Sequence, residues 1–267
     1  MAAIEGRVAI VTGASRGIGQ AIAARLAASG ARVAVSARTQ REGESPFPGT
    51  IHETAAAIVD AGGTAVAVPA DLSKGEDRAH LVAETERLLG PVDILVNNAA
   101  VTFYAKVADF DMRRWELMLE VQVRAPFELS QMVLPGMRER RQGWILNISS
   151  KASYHRKGPP YAPFDTRGGT MYGMCKAALE RFTTGLAAEV YDDGIAVNCL
   201  SPSRVVATPG VIHHKLIPPG QEHIAEPTDV MAEAAYLLVS GDPATTTGLI
   251  TLSQDVVDAA EQRRLRA

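Results

Sequence analysis

The sequence predicts an α/β fold: a doubly wound parallel sheet of about seven strands with helices on both faces. Three observations carry this expectation. Short, continuous apolar runs recur along the whole chain, the pattern of strands buried on both faces. Longer helical patterns separate them, so consecutive strands need crossover connections, which are right-handed. The first apolar run leads into a glycine-rich turn and a helix, "TGASRGIG" at 12–19, as the opening unit of such a sheet does.

The elements follow in order. Strands are expected over 7–12 (RVAIVT), 31–38, 64–71, 93–100 (DILVNNAA), 143–150 (GWILNISS), 194–200 and 248–253. Helix 17–30 is rich in small residues and stops at Gly30, and helix 50–63 is closed by Gly62 and Gly63. Helix 73–90 starts on Ser73 as a cap and ends at Gly90, the usual asymmetry of helix ends. One long helix is expected over 112–138, and others over 169–190 and 227–239. No internal repeat or long linker divides the chain, so residues 1–267 read as one domain. Two segments interrupt the alternation, 39–49 after the second strand and 203–223 after the sixth. Loops at the carboxyl ends of strands face the ligand crevice of an open sheet.

Composition excludes several functions. The chain has 267 residues, 46% hydrophobic and 21% charged, and a net charge of −3, so it can bury a full core and has no basic field for nucleic acid or membrane. No apolar run reaches the ~18 residues of a membrane span. The opening "MAAIEGRVAIVTGAS" lacks the pattern of a signal peptide. Two cysteines, Cys175 and Cys199, are too few for a disulfide framework. A reduced, cytoplasmic protein is expected. The histidines at 52, 80, 155, 213, 214 and 223 make no metal set.

In "TGASRGIG", Gly13, Gly17 and Gly19 permit a tight turn and close approach of a pyrophosphate. The helix N-terminus that follows offers backbone amides to phosphate. Gly13, Ser15, Arg16, Gly17, Ile18 and Gly19 are therefore candidate nucleotide contacts. An acid at the end of the second strand would select NAD by bonding the ribose hydroxyl. That stretch reads Ser36-Ala37-Arg38-Thr39, without an acid. Arg38 and Arg16 can instead hold a 2′-phosphate from two sides, so NADP is expected over NAD.

Tyr172 and Lys176 stand four apart on an expected helix, hence on one face. A phenol with a pKa of ~10 is a poor proton donor at neutral pH, and a nearby ammonium lowers that value. Together with the motifs "TGASRGIG", Asp71 of "PADLS", "NNAA" at 97–100, "NISS" at 147–150, "YGMCK" at 172–176 and "VNCLSPS" at 197–203, this pair gives the chain its resemblance to the short-chain dehydrogenase/reductase family, in family order and over nearly the whole length. The resemblance implies a Rossmann fold and hydride transfer between a nicotinamide and a carbonyl or alcohol. It implies Tyr172 as general acid–base, Lys176 as its electrostatic partner and ribose ligand, and Ser150 as holder of the substrate oxygen. It implies cofactor contacts from Asp71 with Leu72, Asn98 and Ala99, and Pro202, Ser203 and Val205. Residues 204–225 resemble a substrate lid with an apolar lining of Val205, Val206, Val211, Ile212, Leu216 and Ile217. A homodimer or homotetramer through the helices at 112–138 and 170–190 is also implied.

The chain departs from the family pattern at four places. Ala100 and Ser203 stand where the family has glycine, and Ser253-Gln254-Asp255 stands for Asp-Gly-Gly. Gln122 stands for a relay asparagine. Pro126, four residues on, has no N–H for the Gln122 carbonyl, so that carbonyl is the expected holder of a relay water. Ser150 and Tyr172 are 22 positions apart, wider than the family's habit, and the surplus carrying Tyr154, His155, Lys157, Tyr161 and Phe164 is expected either to shape the substrate mouth or to form a surface loop or subunit contact. Tyr154 and Tyr161 lack a lysine four residues on. The alternative reading is a nucleotide-binding family member with little or no turnover, acting as redox sensor or scaffold. Gln122 and the tail favour it; intact Ser150, Tyr172 and Lys176 oppose it.

Overall fold

The computed structural model describes residues 4–213, 217, 220 and 222–266. Seven strands form one sheet: β1 (Val8–Thr12), β2 (Arg32–Ser36), β3 (Thr64–Ala67), β4 (Val92–Asn97), β5 (Gly143–Ile148), β6 (Ile195–Ser201) and β7 (Ile250–Leu252). Their order is β3-β2-β1-β4-β5-β6-β7 and every neighbouring pair is parallel. This is the Rossmann-type architecture that the apolar runs imply. The chain walks outward from β1 to β3, then returns to place β4 beside β1. The order reverses between β1 and β4, and a crevice opens at the carboxyl ends of those strands.

Side chains alternate across the sheet with period two. Ala9, Val11, Val33, Val35, Ile94 and Val96 join the core on one face. Val8, Ile10, Ala34 and Leu95 join the core on the other. Helices α1 (Gly17–Ala28), α2 (Ile51–Asp60) and α8 (Thr228–Val239) cover the first face through Ile22, Leu26, Ile58, Met231 and Leu238. Helices α3 (Gly75–Leu89), α5 (Ala125–Arg140) and α6 (Thr170–Glu189) cover the second through Leu81, Leu129, Met137 and Leu186. Both faces are dry, which explains why the strands read as continuous apolar runs rather than alternating ones.

The expected helix over 112–138 is three pieces. Helix α4 (Met112–Leu119) passes into a π-helical turn (Glu120–Arg124) before α5 begins. Pro126 has no N–H to continue the ladder, and the amide of Ala125 reaches back five residues to the carbonyl of Glu120, the signature of a π-bulge. Buried Arg78 of α3 braces this turn, donating to Glu128 at 2.8 Å, Glu120 at 3.2 Å and the Leu72 carbonyl at 2.6 Å.

Two other expectations change. Ser73 does not cap α3, which starts at Gly75; its hydroxyl donates to Asp71 at 2.8 Å. Helix α9 (Ser253–Arg266) follows β7 where no helix was expected. Only Ser253 and Ala260 of α9 are buried, so the segment lacks the apolar stripe that announces a helix. The short helix α7 (Pro209–His213) lies within the long connection between β6 and α8. No helix among the described residues is long and apolar enough to cross a membrane.

Candidate active site

A cleft of about 1060 Å³ opens at the carboxyl ends of the strands. Its lining joins the glycine loop, the ends of β2, β4 and β5, the start of α6 and the segment after β6. Among the expected site residues, Gly13, Ser15, Arg16, Gly17, Ile18, Gly19, Arg38, Asp71, Leu72, Asn98, Ala99, Ser150, Tyr172, Lys176, Pro202 and Val205 all line it. Residues 211, 45 and 72 thus meet in one space, although far apart in sequence.

The glycine loop has no room for side chains. A Cβ on Gly19 would sit 2.3 Å from Asn98 Nδ2 and 2.5 Å from the Gly13 carbonyl oxygen. Asn98 is the strut of this corner: its Nδ2 donates to the carbonyls of Thr12 at 2.8 Å and Gly13 at 3.2 Å. Thr12 Oγ1 in turn accepts from the amides of Asn98 and Ala99 at 3.0 and 3.1 Å. The ends of β1 and β4 are therefore welded, and the loop is presented with its amides available to a phosphate. These features fit a dinucleotide: a glycine cradle at a helix start, and the buried Ser36 Oγ and Arg16 Nε on its wall without protein partners.

Past the end of β2, Arg38 is exposed on the cleft wall and Arg16 lines the same cleft. Burial, and then the charge of Arg38, lower the pKa of Arg16. The two cations therefore repel one another. The Nη atoms of Arg16 are already engaged by the 39–49 loop: Ser45 at 2.8 Å, Thr39 at 3.1 Å and the Gly49 carbonyl at 2.8 Å. The same loop supplies Glu44, whose carboxylate accepts from the amides of Gln40 and Arg41. Asp71 is oriented by Ser73.

At the other end, Ser150 and Tyr172 both line the cleft. Tyr172 is packed with Phe103 and Val101, and its ring lies 6.3 Å from that of Tyr104. Burial, reinforced by Tyr104, pushes the Tyr172 phenol well up, while Ser150 works the other way. Lys176 is buried, donates to the Ile148 carbonyl at 2.8 Å, and sits 5.6 Å from the Tyr172 ring centre. Desolvation pulls its pKa down to about 8. For the Tyr172 phenol, burial outweighs the lowering that the sequence suggests.

Gln122 is 1% exposed and donates through Nε2 to the Val101 carbonyl at 2.8 Å, while its Oε1 has no protein partner. It sits in the π turn that packs on α6. Ser203 turns its hydroxyl away from the cleft wall toward the tail, accepting from the amide of Gln254 at 2.9 Å. The segment after β6 contributes Val205, Val206, Thr208, Pro209, Gly210, Val211 and His213 to the cleft. His214 and Leu216 lie outside the described residues.

The connection from Ser150 to Tyr172 runs mostly over the surface. Residues 154–162 are exposed, and among the side chains described none between 151 and 171 lines the cleft; those of Pro163 and Phe164 lie outside the description. Both of its ends hold to the fold: Ser153 donates to Glu180 at 2.7 Å at the start, and the amide of Ala105 donates to the Gly168 carbonyl at 3.2 Å at the end, where a Cβ on Gly168 would clash with Ala105. The loop spends its polarity on itself, as in the Arg156–Asp165 pair at 3.0 Å. Among the described residues, no group of three potential metal ligands occurs.

A family model for short chain dehydrogenases matches residues 7–214. The chain belongs to the short-chain dehydrogenase/reductase family. It is therefore an NAD(P)-dependent oxidoreductase by membership. Dehydrogenase/reductase SDR family member 4 of Sus scrofa is 37% identical over 203 residues, which are 76% of this chain and 67% of that protein. A chain described as a dehydrogenase from Xanthomonas campestris superposes with a TM-score of 0.83 at 33% identity, covering 97% of this chain and 91% of its own. A metagenomic short-chain oxidoreductase solved with NADP gives 0.75 at 27% identity, covering 94% and 97%.

Sequence reasoning missed several residues that this family member uses to build its site. Thr12 welds the switch point. Asn97 donates to Asn147, and Asn147 to Thr183, both at 2.9 Å, in a buried polar rung between β4, β5 and α6. Glu226 and Glu180 each gather two or more donors beside the cleft. A signal for Glu180 was present: it lies four residues beyond Lys176 on the same helix face.

Proposed function

We propose that the protein interconverts a carbonyl and an alcohol with NADP(H) as hydride partner, Tyr172 serving as general acid–base. One observation carries this reading: Ser150, Tyr172 and Lys176 line one wall of the cleft that the glycine loop opens, with Lys176 Nζ 5.6 Å from the centre of the Tyr172 ring. When bound, the nicotinamide supplies or accepts the hydride and, once oxidised, adds a positive charge beside the phenol. Tyr172 gives its proton to the substrate oxygen in reduction and takes it back in oxidation. Ser150 donates to the same oxygen and polarises it. Lys176, anchored on the Ile148 carbonyl, stabilises the phenolate left behind. Gln122 supplies an acceptor for a relay water, through its main-chain carbonyl or the unpartnered Oε1.

NADP is favoured by the absence of an acid at the end of β2, by Arg38 beside Arg16 at the adenosine end, and by the NADP carried by a related structure. Substrate faces Phe103, Tyr104, Val205, Val206 and Val211, an apolar lining suited to a small carbonyl compound with a hydrocarbon flank. Subunits pair through a surface groove that joins Leu119, Val123, Phe127, Leu179 and Phe182, in which Phe127 is 53% exposed.

The test is cofactor oxidation against a panel of aldehydes and ketones with NADPH and NADH, and Tyr172→Phe as control. Turnover with NADPH that falls by about 10²-fold or more in Tyr172→Phe is expected. Turnover unaffected by Tyr172→Phe, or no turnover with any carbonyl, overturns the reading and leaves the sensor or scaffold role.

A further inference from the structure

Glu180 lies on α6 four residues beyond Lys176 and eight beyond Tyr172, so all three share one helix face. Its Oε1 accepts from Ser149 Oγ at 2.7 Å and from Ser153 Oγ at 2.7 Å, the shorter of the two contacts that compete for the single Ser153 proton, the other being the Ser150 carbonyl at 2.9 Å. These two hydroxyls flank Ser150. Ser149 is buried at the end of β5, and its amide donates to the Leu200 carbonyl at 2.8 Å. Ser153 closes the short turn Lys151–Ser153 that Ser150 caps; Ser150 Oγ accepts from the amide of Ala152 at 3.2 Å, and the Ser150 carbonyl from the amide of Ser153 at 3.0 Å.

The turn is also pinned at a second point. A Cβ on Gly173 would lie 2.5 Å from the Ala152 carbonyl oxygen, so α6 and the turn touch backbone to backbone beside Tyr172. Contact at Gly173 sets the distance between helix and turn. The carboxylate of Glu180 sets its orientation, because one oxygen takes a donor from each side of Ser150. Charge-assisted bonds of this kind are roughly twice as strong as neutral ones.

We propose that Glu180 is a positioning residue, whose carboxylate clamps the Ser149–Ser153 segment so that the Ser150 hydroxyl meets Tyr172 and the substrate oxygen. This rests on the oxidoreductase reading above. The carboxylate also stands one turn from Lys176, and its charge opposes the desolvation that discourages the ammonium.

The experiment compares Glu180→Leu, Glu180→Gln, Ser149→Ala/Ser153→Ala and the combination of Glu180→Leu with both serine changes, using the best carbonyl from the panel. Glu180→Leu is expected to lower kcat about tenfold, the effect of losing charge-assisted hydrogen bonds, with the cofactor dissociation constant held within about twofold. Glu180→Gln keeps an acceptor and is expected to recover most of kcat. The serine pair should match Glu180→Leu, and the combination should add less than about twofold, because the residues act as one unit. A fully multiplicative combination overturns the proposal, as does a parallel loss of cofactor affinity and melting temperature in Glu180→Leu with no recovery by Gln. Should Glu180→Leu fail to fold, the serine pair decides: unchanged kcat overturns the clamp and a drop supports it. Failure of the oxidoreductase reading is recognised separately, by an inactive parent protein or an active Tyr172→Phe.

Discussion

The hydroxyls of Ser203 and Ser253 lie 3.2 Å apart, and the amide of Ser203 donates to Ser253 Oγ at 2.9 Å. These are two of the positions at which the chain departs from its family's glycine and aspartate. They are separate oddities in the sequence and a single cluster in the fold, completed by the buried Glu226, which accepts from Ser253 Oγ and from the Arg204 amide at 3.0 Å. The cluster ties the cleft-side end of β6 to the start of α9 and to the far end of the connection between β6 and α8. Ser253→Ala leaves a buried carboxylate short of a donor, and a loss of about 2 kcal/mol in chemical denaturation is expected. Ser253→Ala with Ser203→Gly should not be additive, which a double-mutant cycle measures.

Gly19 tests the weld between β1 and β4. Its Cβ would meet Asn98 Nδ2 and the Gly13 carbonyl at far less than contact distance. Gly19→Ala is expected to displace Asn98, cost about 1–3 kcal/mol of stability through overpacking, and weaken NADPH binding in titration calorimetry. Gly75, at the start of α3, serves as the contrast: a Cβ there would meet only Arg78 Nη2 at 3.5 Å, an ordinary contact, so Gly75→Ala should leave cofactor binding intact.

Arg38 tests cofactor choice. It is exposed, whereas the Nη atoms of Arg16 are held by Ser45, Thr39 and the Gly49 carbonyl. Arg38 is thus the arginine free to meet a 2′-phosphate directly. Arg38→Asp should lower kcat/KM for NADPH by about 10- to 100-fold, the worth of a charge-assisted contact, with a smaller change or a gain for NADH. Equal losses with both cofactors would place Arg38 outside the ribose site.

Lys176 makes stability depend on pH. Burial depresses its pKa from 10.5 to about 8 in the fold, so between those values the unfolded chain holds the proton and the folded one does not. Stability from this group therefore rises with pH across about 8 to 10.5. The melting temperature of the cofactor-free protein should climb over that window, and the climb should flatten in Lys176→Met. A cofactor-saturated sample should show a weaker climb if the bound cofactor helps keep the ammonium charged.

Much of this was legible along the chain. The strands announced themselves because both faces of the sheet are dry, and the glycine loop and the Tyr172–Lys176 pair because their spacing is local. The polar α9 was not legible, since it buries only Ser253 and Ala260. Nor was the break between α4 and α5, where the backbone response to Pro126 shows only in the reach of Ala125 to Glu120.

The sequence by itself determined the sheet, the crevice at its switch point and the placing of Tyr172 and Lys176 on one helix face, because these depend on periodicity, glycine and residues one helical turn apart. Only the tertiary structure decided the rest. It sent the long connection before Tyr172 out into solvent instead of over the cleft, and it gave Arg16 to the 39–49 loop. It also brought Ser149 and Ser153 onto Glu180, and Ser203 and Ser253 onto Glu226. The physical reason is that a buried or half-buried carboxylate must find donors wherever the packed chain places them, and residues 27 or 50 positions apart carry no mark of that meeting until the chain has folded.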